Sequence, residues 1–136
     1  MQDSNIKTGT QAESFVAQEL AKKGAFVGDF NKSRTGSQPF DQIAITNIFT
    51  WCYDVKHCSI DRFDFSRVEA NQTNALNYIH DEIDNSHVVC GFALVFEDEI
   101  YFLSLYQYKQ FLSEGRKSCK VSTLSKMLGV VEWVKR

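Results

Sequence analysis

The period of apolar and polar positions changes several times along the chain, and each change marks an element. Between about Thr10 and Lys23, residues Glu13, Val16, Ala17 and Leu20 fall at i, i+3, i+4 and i+7, the spacing of one helical face. The pattern stops at Gly24, a good helix terminator. Glu13 thus stands where a core residue is expected, and Phe15 lies on the opposite side. "AFVGDF" then reads as a short strand and "NKSRTGSQ" as a flexible basic loop. "PFDQIAIT" and "FTWCYDVKH" read as two strands joined through Asn47 in a hairpin. A period of two puts Cys52, Asp54 and Lys56 on one face and Trp51, Tyr53 and Val55 on the other.

Ser66 opens "SRVE", a capping box that predicts a second helix running to about Asp84. Its apolar stripe is Val68, Ala75, Leu76, Ile79 and Ile83, interrupted by Gln72, with Arg67, Asn71, Asn74 and Tyr78 on a neighbouring polar face. "HVVCGFALVF" is nearly continuous in apolar residues, as for a central strand buried on both sides. "EIYFLSL" follows after a short "EDE" turn, "YQYKQFLSEG" reads as helix, and the tail is mixed. Helix, three strands, helix, two strands, helix is the order of an α/β fold: a mixed central sheet flanked by helices, in a single domain over residues 1–136.

Composition narrows the class. At 136 residues, with 43% apolar and 24% charged residues, the chain is long enough for a real core and too apolar for disorder. No apolar run approaches the roughly 20 residues that span a bilayer, and the N-terminus "MQDSNIKTGTQ" is polar, without a signal-peptide core. The expectation is a cytoplasmic protein with no membrane partner. Cys52, Cys58, Cys90 and Cys119 lie far apart with no CxxC pair, which reads as reduced, mostly buried thiols. On one strand Cys52 and Cys58 would sit roughly 20 Å apart, too far to share a zinc ion. The net charge of −2 argues against non-specific coating of nucleic acid, yet "NKSR" and "GRKSCK" are locally basic.

The candidate chemistry is acidic. Glu13 on a core-facing helix position, Asp41 at the start of a strand, and Asp54 with Lys56 on one strand face can converge at one sheet edge. Clustered carboxylates repel one another unless a cation lies between them, and hard oxygen ligands suit Mg²⁺ or Mn²⁺. A metal there polarises a phosphodiester, and a neighbouring lysine stabilises the charge that develops. Blander readings stand beside this one. Asp54 and Lys56 also fit a surface ion pair, Gln72 an amide bonded to a neighbouring strand, and "YFLSLYQYKQF" core and helix surface. His57, His80 and His87 read as ordinary residues.

Pro-x-Asp followed by Asp-x-Lys on the next strand resembles the PD-(D/E)xK nuclease superfamily, whose restriction-endonuclease-like fold has this order of elements. Over roughly its whole length the chain is similar to the RecU-type Holliday junction resolvases. The residues that carry this are "GTQAE", "PFDQIAI", "YDVKHC", "FDFSRVEANQ", "EIYFLSL" and the late "GRKSCKVSTL". The resemblance implies metal binding by Asp41, Asp54 and the backbone carbonyl of Val55. It implies a catalytic role for Lys56, an acidic site completed by Glu13, and support from Gln72. His57 stands where the family usually has an acid, and the family's stalk is reduced to "NKSRTGSQ".

The expected activity is an Mg²⁺- or Mn²⁺-dependent endodeoxyribonuclease of the crossover junction type, resolving Holliday junctions or other branched DNA. Lys32, Arg34, Arg67, Asn71, Arg116 and Lys117 are the candidate DNA contacts. A two-fold homodimer would supply the two symmetric cuts that a four-way junction needs. So small a version would suit a phage or mobile element. Two alternatives stay open: a nuclease-fold protein that binds DNA or protein without cutting, and a nuclease for unbranched DNA.

Overall fold

A computed structural model describes residues 9–30, 39–68, 73–82 and 87–124. In chain order these form α1 (Gly9–Lys22), β1 (Phe26–Asp29), β2 (Gln42–Ile45), β3 (Thr50–Cys58) and β4 (Arg62–Asp64). A 3₁₀ turn (Phe65–Arg67) follows, then α2 (Asn74–Glu82), β5 (Val88–Phe96), β6 (Glu99–Ser104), α3 (Leu105–Ser113), β7 (Ser118–Lys120) and α4 (Val121–Leu124). The main sheet has the order β1-β2-β3-β5-β6. Only β3 and β5 run parallel in it, as two strands joined through a helical crossover must. This is the expected mixed sheet flanked by helices.

Alternation along β5 explains its unbroken apolar run. Cys90, Phe92 and Leu94 face one core, built with Leu76 of α2 and with Leu105 and Tyr108 of α3. Ala93 and Val95 face a second core under α1, with Ala12, Val16, Leu20, Tyr53 and Phe102. Gly91 is needed where β5 meets β6. A methyl there would overlap the Leu103 carbonyl oxygen and stand 2.9 Å from Ser104 Cα. Gly24 takes the left-handed conformation at φ 96° and closes α1, with Ala25 N–H donating to Leu20 O at 3.1 Å. The β2–β3 hairpin closes through Thr46, whose N–H donates to Phe49 O at 2.8 Å.

Four expectations are corrected. The buried line of α1 is Ala12, Val16 and Leu20, each no more than 2% exposed, and Glu13 and Ala17 flank it half-buried. Phe15 is not on an opposite, separate face, since it packs against the same core. Ser66 does not open the second helix: it lies in the 3₁₀ turn, and Val68 after it is extended at φ −93°, ψ 116°. The helix begins after Thr73, whose carbonyl accepts Asn77 N–H at 2.7 Å and whose hydroxyl accepts Asn77 Nδ2 at 3.3 Å. The fourth correction is a small second sheet, in which β4 and β7 pair antiparallel with Phe63 opposite Cys119. Ile83 and the chain after residue 124 lie outside the described residues.

Candidate active site

The β2–β3 register builds the site. Gln42 pairs with Tyr53, so Asp41, one residue before β2, falls opposite Asp54, and directly opposed residues share a sheet face. Asp41 N–H donates both to Tyr53 O at 3.1 Å and to Asp54 Oδ1 at 3.1 Å. Beyond this point β3 outruns β2. The Val55 N–H, which a longer β2 would have paired, donates instead to Asp41 Oδ2 at 2.7 Å. The amide and carbonyl of one strand residue point to the same edge, so the Val55 carbonyl also faces the Asp41 side.

Asp54 is only 6% exposed, which overturns the surface-pair reading. Its Oδ2 is buried and has no hydrogen-bond partner. Burial above all, then the charge of Asp41 and to a smaller extent that of Glu13, push its carboxyl from an ordinary 3.8 up to about 7. Lys56 and the Asp41 N–H pull the other way. Lys56, on the same strand face, reaches Arg67 O with Nζ at 3.4 Å, so the 3₁₀ turn holds the lysine head. Glu13 sits half-buried on α1, close enough for its charge to act on Asp54.

These donors fit a hard divalent cation. The buried, orphaned Asp54 oxygen belongs to a residue directly opposite a second carboxylate-bearing residue, Asp41, and Mg²⁺ takes one or two carboxylates while keeping several waters. Among the described residues no three His, Cys, Asp or Glu side chains form a ready metal cage. The two aspartates are the close pair of acids here, and Glu13 is an outlying third acid.

The candidate DNA contacts are placed unevenly. Arg67 is exposed beside Lys56, with its guanidinium 5.8 Å from the Phe63 ring centre and Nη1 3.9 Å from Cys58 Sγ. The β4–β7 pairing brings "GRKS" to this side, through Phe65 N–H donating to Lys117 O at 2.9 Å. Arg116 is exposed but engaged, 3.2 Å from Glu114 and 4.9 Å from the Phe111 ring centre. Gln72, Asn71, Lys32 and Arg34 lie outside the described residues.

All four cysteines are free and buried, as expected. Burial pushes the Cys58 thiol up to about 11 and the Cys119 thiol up to about 12. Cys52 and Cys90 stand in register on β3 and β5 and share a thiol hydrogen bond. No described helix is long and apolar enough to cross a membrane.

Sequence reasoning missed one buried pair. Gln42, fully buried, donates from Nε2 to Glu13 O at 2.7 Å and accepts the Tyr53 phenol on Oε1 at 2.9 Å. The available signal was an amide alternating with Ala44 on the inward face of β2. Burial, assisted by the Asp29, Cys52 and Asp41 charges, pushes the Tyr53 phenol well above its usual value, so it stays a donor.

A five-stranded mixed sheet with Asp41 just ahead of β2 and Asp54-x-Lys56 on β3 has the arrangement of the PD-(D/E)xK nuclease fold. Among solved structures, the chain is similar to Archaeoglobus fulgidus Hjc, a Holliday junction resolvase from an archaeal hyperthermophile. The TM-score is 0.57 at 16% identity, over 89% of this chain and 94% of that one, a likeness of fold. No curated protein matches the sequence. The family model of Recombination protein U, RecU, matches residues 35–134, and the chain belongs to that family.

Proposed function

We propose that the chain is a divalent-metal-dependent endodeoxyribonuclease that resolves Holliday junctions. The observation that carries the reading is the opposed Asp41–Asp54 pair, with the unpartnered Asp54 Oδ2 buried beside it and Lys56 on the same strand face. Membership of a recombination-protein family supports branched DNA as the substrate class, and the fold shared with an archaeal resolvase agrees with it.

Asp41, Asp54 and the Val55 carbonyl would hold Mg²⁺ or Mn²⁺, with Glu13 reaching it directly or through water. A bound cation supplies polarisation of the scissile phosphodiester and a lowered pKa for water. Lys56, anchored at Arg67 O, aims a positive charge at the phosphoryl oxygens, where negative charge grows during attack. The Asp41 N–H holds Asp54 Oδ1, and Asp41 Oδ2 is tied to Val55 N–H, so neither carboxylate has to reorganise on binding the ion. Arg67, with Lys32, Arg34, Asn71, Arg116 and Lys117, would hold the DNA backbone, and Gln72, which precedes the second helix in the chain, would support the site. Two copies related by a two-fold axis would make the paired cuts.

The test is cleavage of a synthetic four-way junction beside matched linear duplex, each with Mg²⁺ and with chelator. Symmetric, chelator-sensitive nicks confined to the junction are expected. Equal cutting of both substrates would reassign the protein as a nuclease for unbranched DNA, and binding without cutting in any metal would reassign it as a binding protein.

A further inference from the structure

The acids have a counterpart on the opposite face of the sheet. Gln42 is 0% exposed and both ends of its amide are used, toward Glu13 O at 2.7 Å and from the Tyr53 hydroxyl at 2.9 Å. The orientation of the amide follows from chemistry, because a carbonyl oxygen only accepts and so must face the nitrogen. Gln42 adjoins Asp41 in the chain, Tyr53 adjoins Asp54, and the far end of the relay is the main chain of Glu13. Each acid is thus at, or next to, one member of the relay.

We propose that Gln42, braced by Tyr53, is a positioning residue that fixes Glu13 relative to the Asp41–Asp54 pair and thereby sets metal affinity. The proposal rests on the metal-centre reading above and deepens it. Helix α1 meets the sheet through Ala12, Val16 and Leu20, and such apolar contact is non-directional. It sets the position of the helix along its own axis less sharply than a directed bond does, and one residue of slip there is a rise of about 1.5 Å. A site must be held to roughly 0.5 Å to bind as designed. A directed bond to one carbonyl supplies that restraint, and a carbonyl has two lone pairs, so the helix loses no hydrogen bond by accepting it. Stability alone does not call for an amide here, since a buried hydrogen-bonded pair is often matched by an apolar residue of the same shape.

The test is Mn²⁺ titration, with the electron paramagnetic resonance signal of the free ion as readout, on wild type, Gln42→Met, Glu13→Gln, the double variant and Asp54→Asn. Methionine keeps the length of glutamine and removes both bonds. Gln42→Met is expected to weaken Mn²⁺ binding by ~10-fold, the lower end of what losing such a support costs. Glu13→Gln should weaken it in the wild-type background and have no further effect in the Gln42→Met background, because the acid is already misplaced. A residue that merely stabilised the fold would leave the two effects additive. Wild-type affinity in Gln42→Met, or full additivity, would overturn the proposal. Where Gln42→Met fails to fold, Tyr53→Phe takes its place in the same cycle and is judged by the same two outcomes. Undiminished Mn²⁺ binding by Asp54→Asn would overturn the metal-centre reading itself, a result distinct from failure of the relay alone.

Discussion

Asp54→Asn is the substitution for which the structure makes the most exacting prediction. The Asp54 carboxyl is held at about 7 in the fold against an ordinary 3.8. That difference of roughly 3 in pKa corresponds to about 4 kcal/mol at 1.36 kcal/mol per pKa unit. The sign follows from proton linkage. Below pH ~4 the carboxyl is protonated in both folded and unfolded chains and carries no penalty. Between about 4 and 7 the unfolded chain ionises first and binds fewer protons than the fold, so the stability of the metal-free protein falls as pH rises. Above about 7 the loss is complete and the curve is flat. Asparagine keeps an oxygen for the Asp41 N–H and places a neutral NH₂ beside the Asp41 carboxylate, which removes the penalty. In chelator, Asp54→Asn should therefore exceed wild type in stability by ~2–4 kcal/mol at pH 8 and match it near pH 4.

Added Mn²⁺ should reverse the order at pH 8, because the cation stabilises only the chain with an ionised Asp54. The assay is urea unfolding in EDTA and in Mn²⁺ across this pH range, read from the midpoint at constant slope. Parallel pH profiles for wild type and Asp54→Asn would refute the reasoning: the buried carboxylate would then not be the group that the metal must satisfy.

Lys56→Ala should lower strand cleavage at least ~100-fold, as loss of a transition-state charge partner does, while junction affinity changes by no more than about one phosphate contact; equal loss of binding and cutting would make Lys56 a phosphate anchor. Gly91→Ala should lower stability by about 1–3 kcal/mol or prevent folding, because the added methyl meets backbone atoms of β6 that cannot yield; an unchanged urea midpoint would contradict the β5–β6 register. Arg34→Ala, in the basic segment that precedes the acidic strand, should flatten the salt dependence of junction binding by about one phosphate contact. Identical slopes and an unchanged preference for junction over duplex would place junction selectivity elsewhere.

What could be read from the sequence was set by period. The strict alternation of β3 placed Asp54 and Lys56 together, and the continuous apolar run of β5 marked a strand covered on both faces. What escaped was set by partners distant in the chain. The strands β4 and β7 have three residues each, too few to show a period, and are held where Phe63 and Cys119 pair across them and bury into one core. That pairing also defeated the capping signal at Ser66: Phe65 N–H is committed to Lys117 O, and the chain leaves the 3₁₀ turn extended. A local motif predicts a helix start only when no tertiary bond claims the same backbone, and here the helix waits for Thr73. The turn that replaced the helix start is also the one whose carbonyl holds Lys56.

Local rules fail together at one end of the sheet, and this concentration is itself an argument. Among the described residues the buried polar and charged side chains are Gln42, Asp54 and Thr73, and two of these three lie at the start of β2 and across from it. Asp54 keeps a buried oxygen without a partner, at a penalty that is a sizeable fraction of the 5–15 kcal/mol by which a domain is normally stable. Gln42 puts an amide where Ala44, two residues on, shows that an apolar side chain packs well. Consistency between sequence and fold is otherwise high, and departures of this kind are expected where function sets the residue. The two departures lie on opposite faces of the same strand pair and are linked through adjacent residues, Asp41 with Gln42 and Tyr53 with Asp54. A surface ion pair would need neither. The proposed acidic centre that accepts a cation, and the proposed brace for its third acid, would need both.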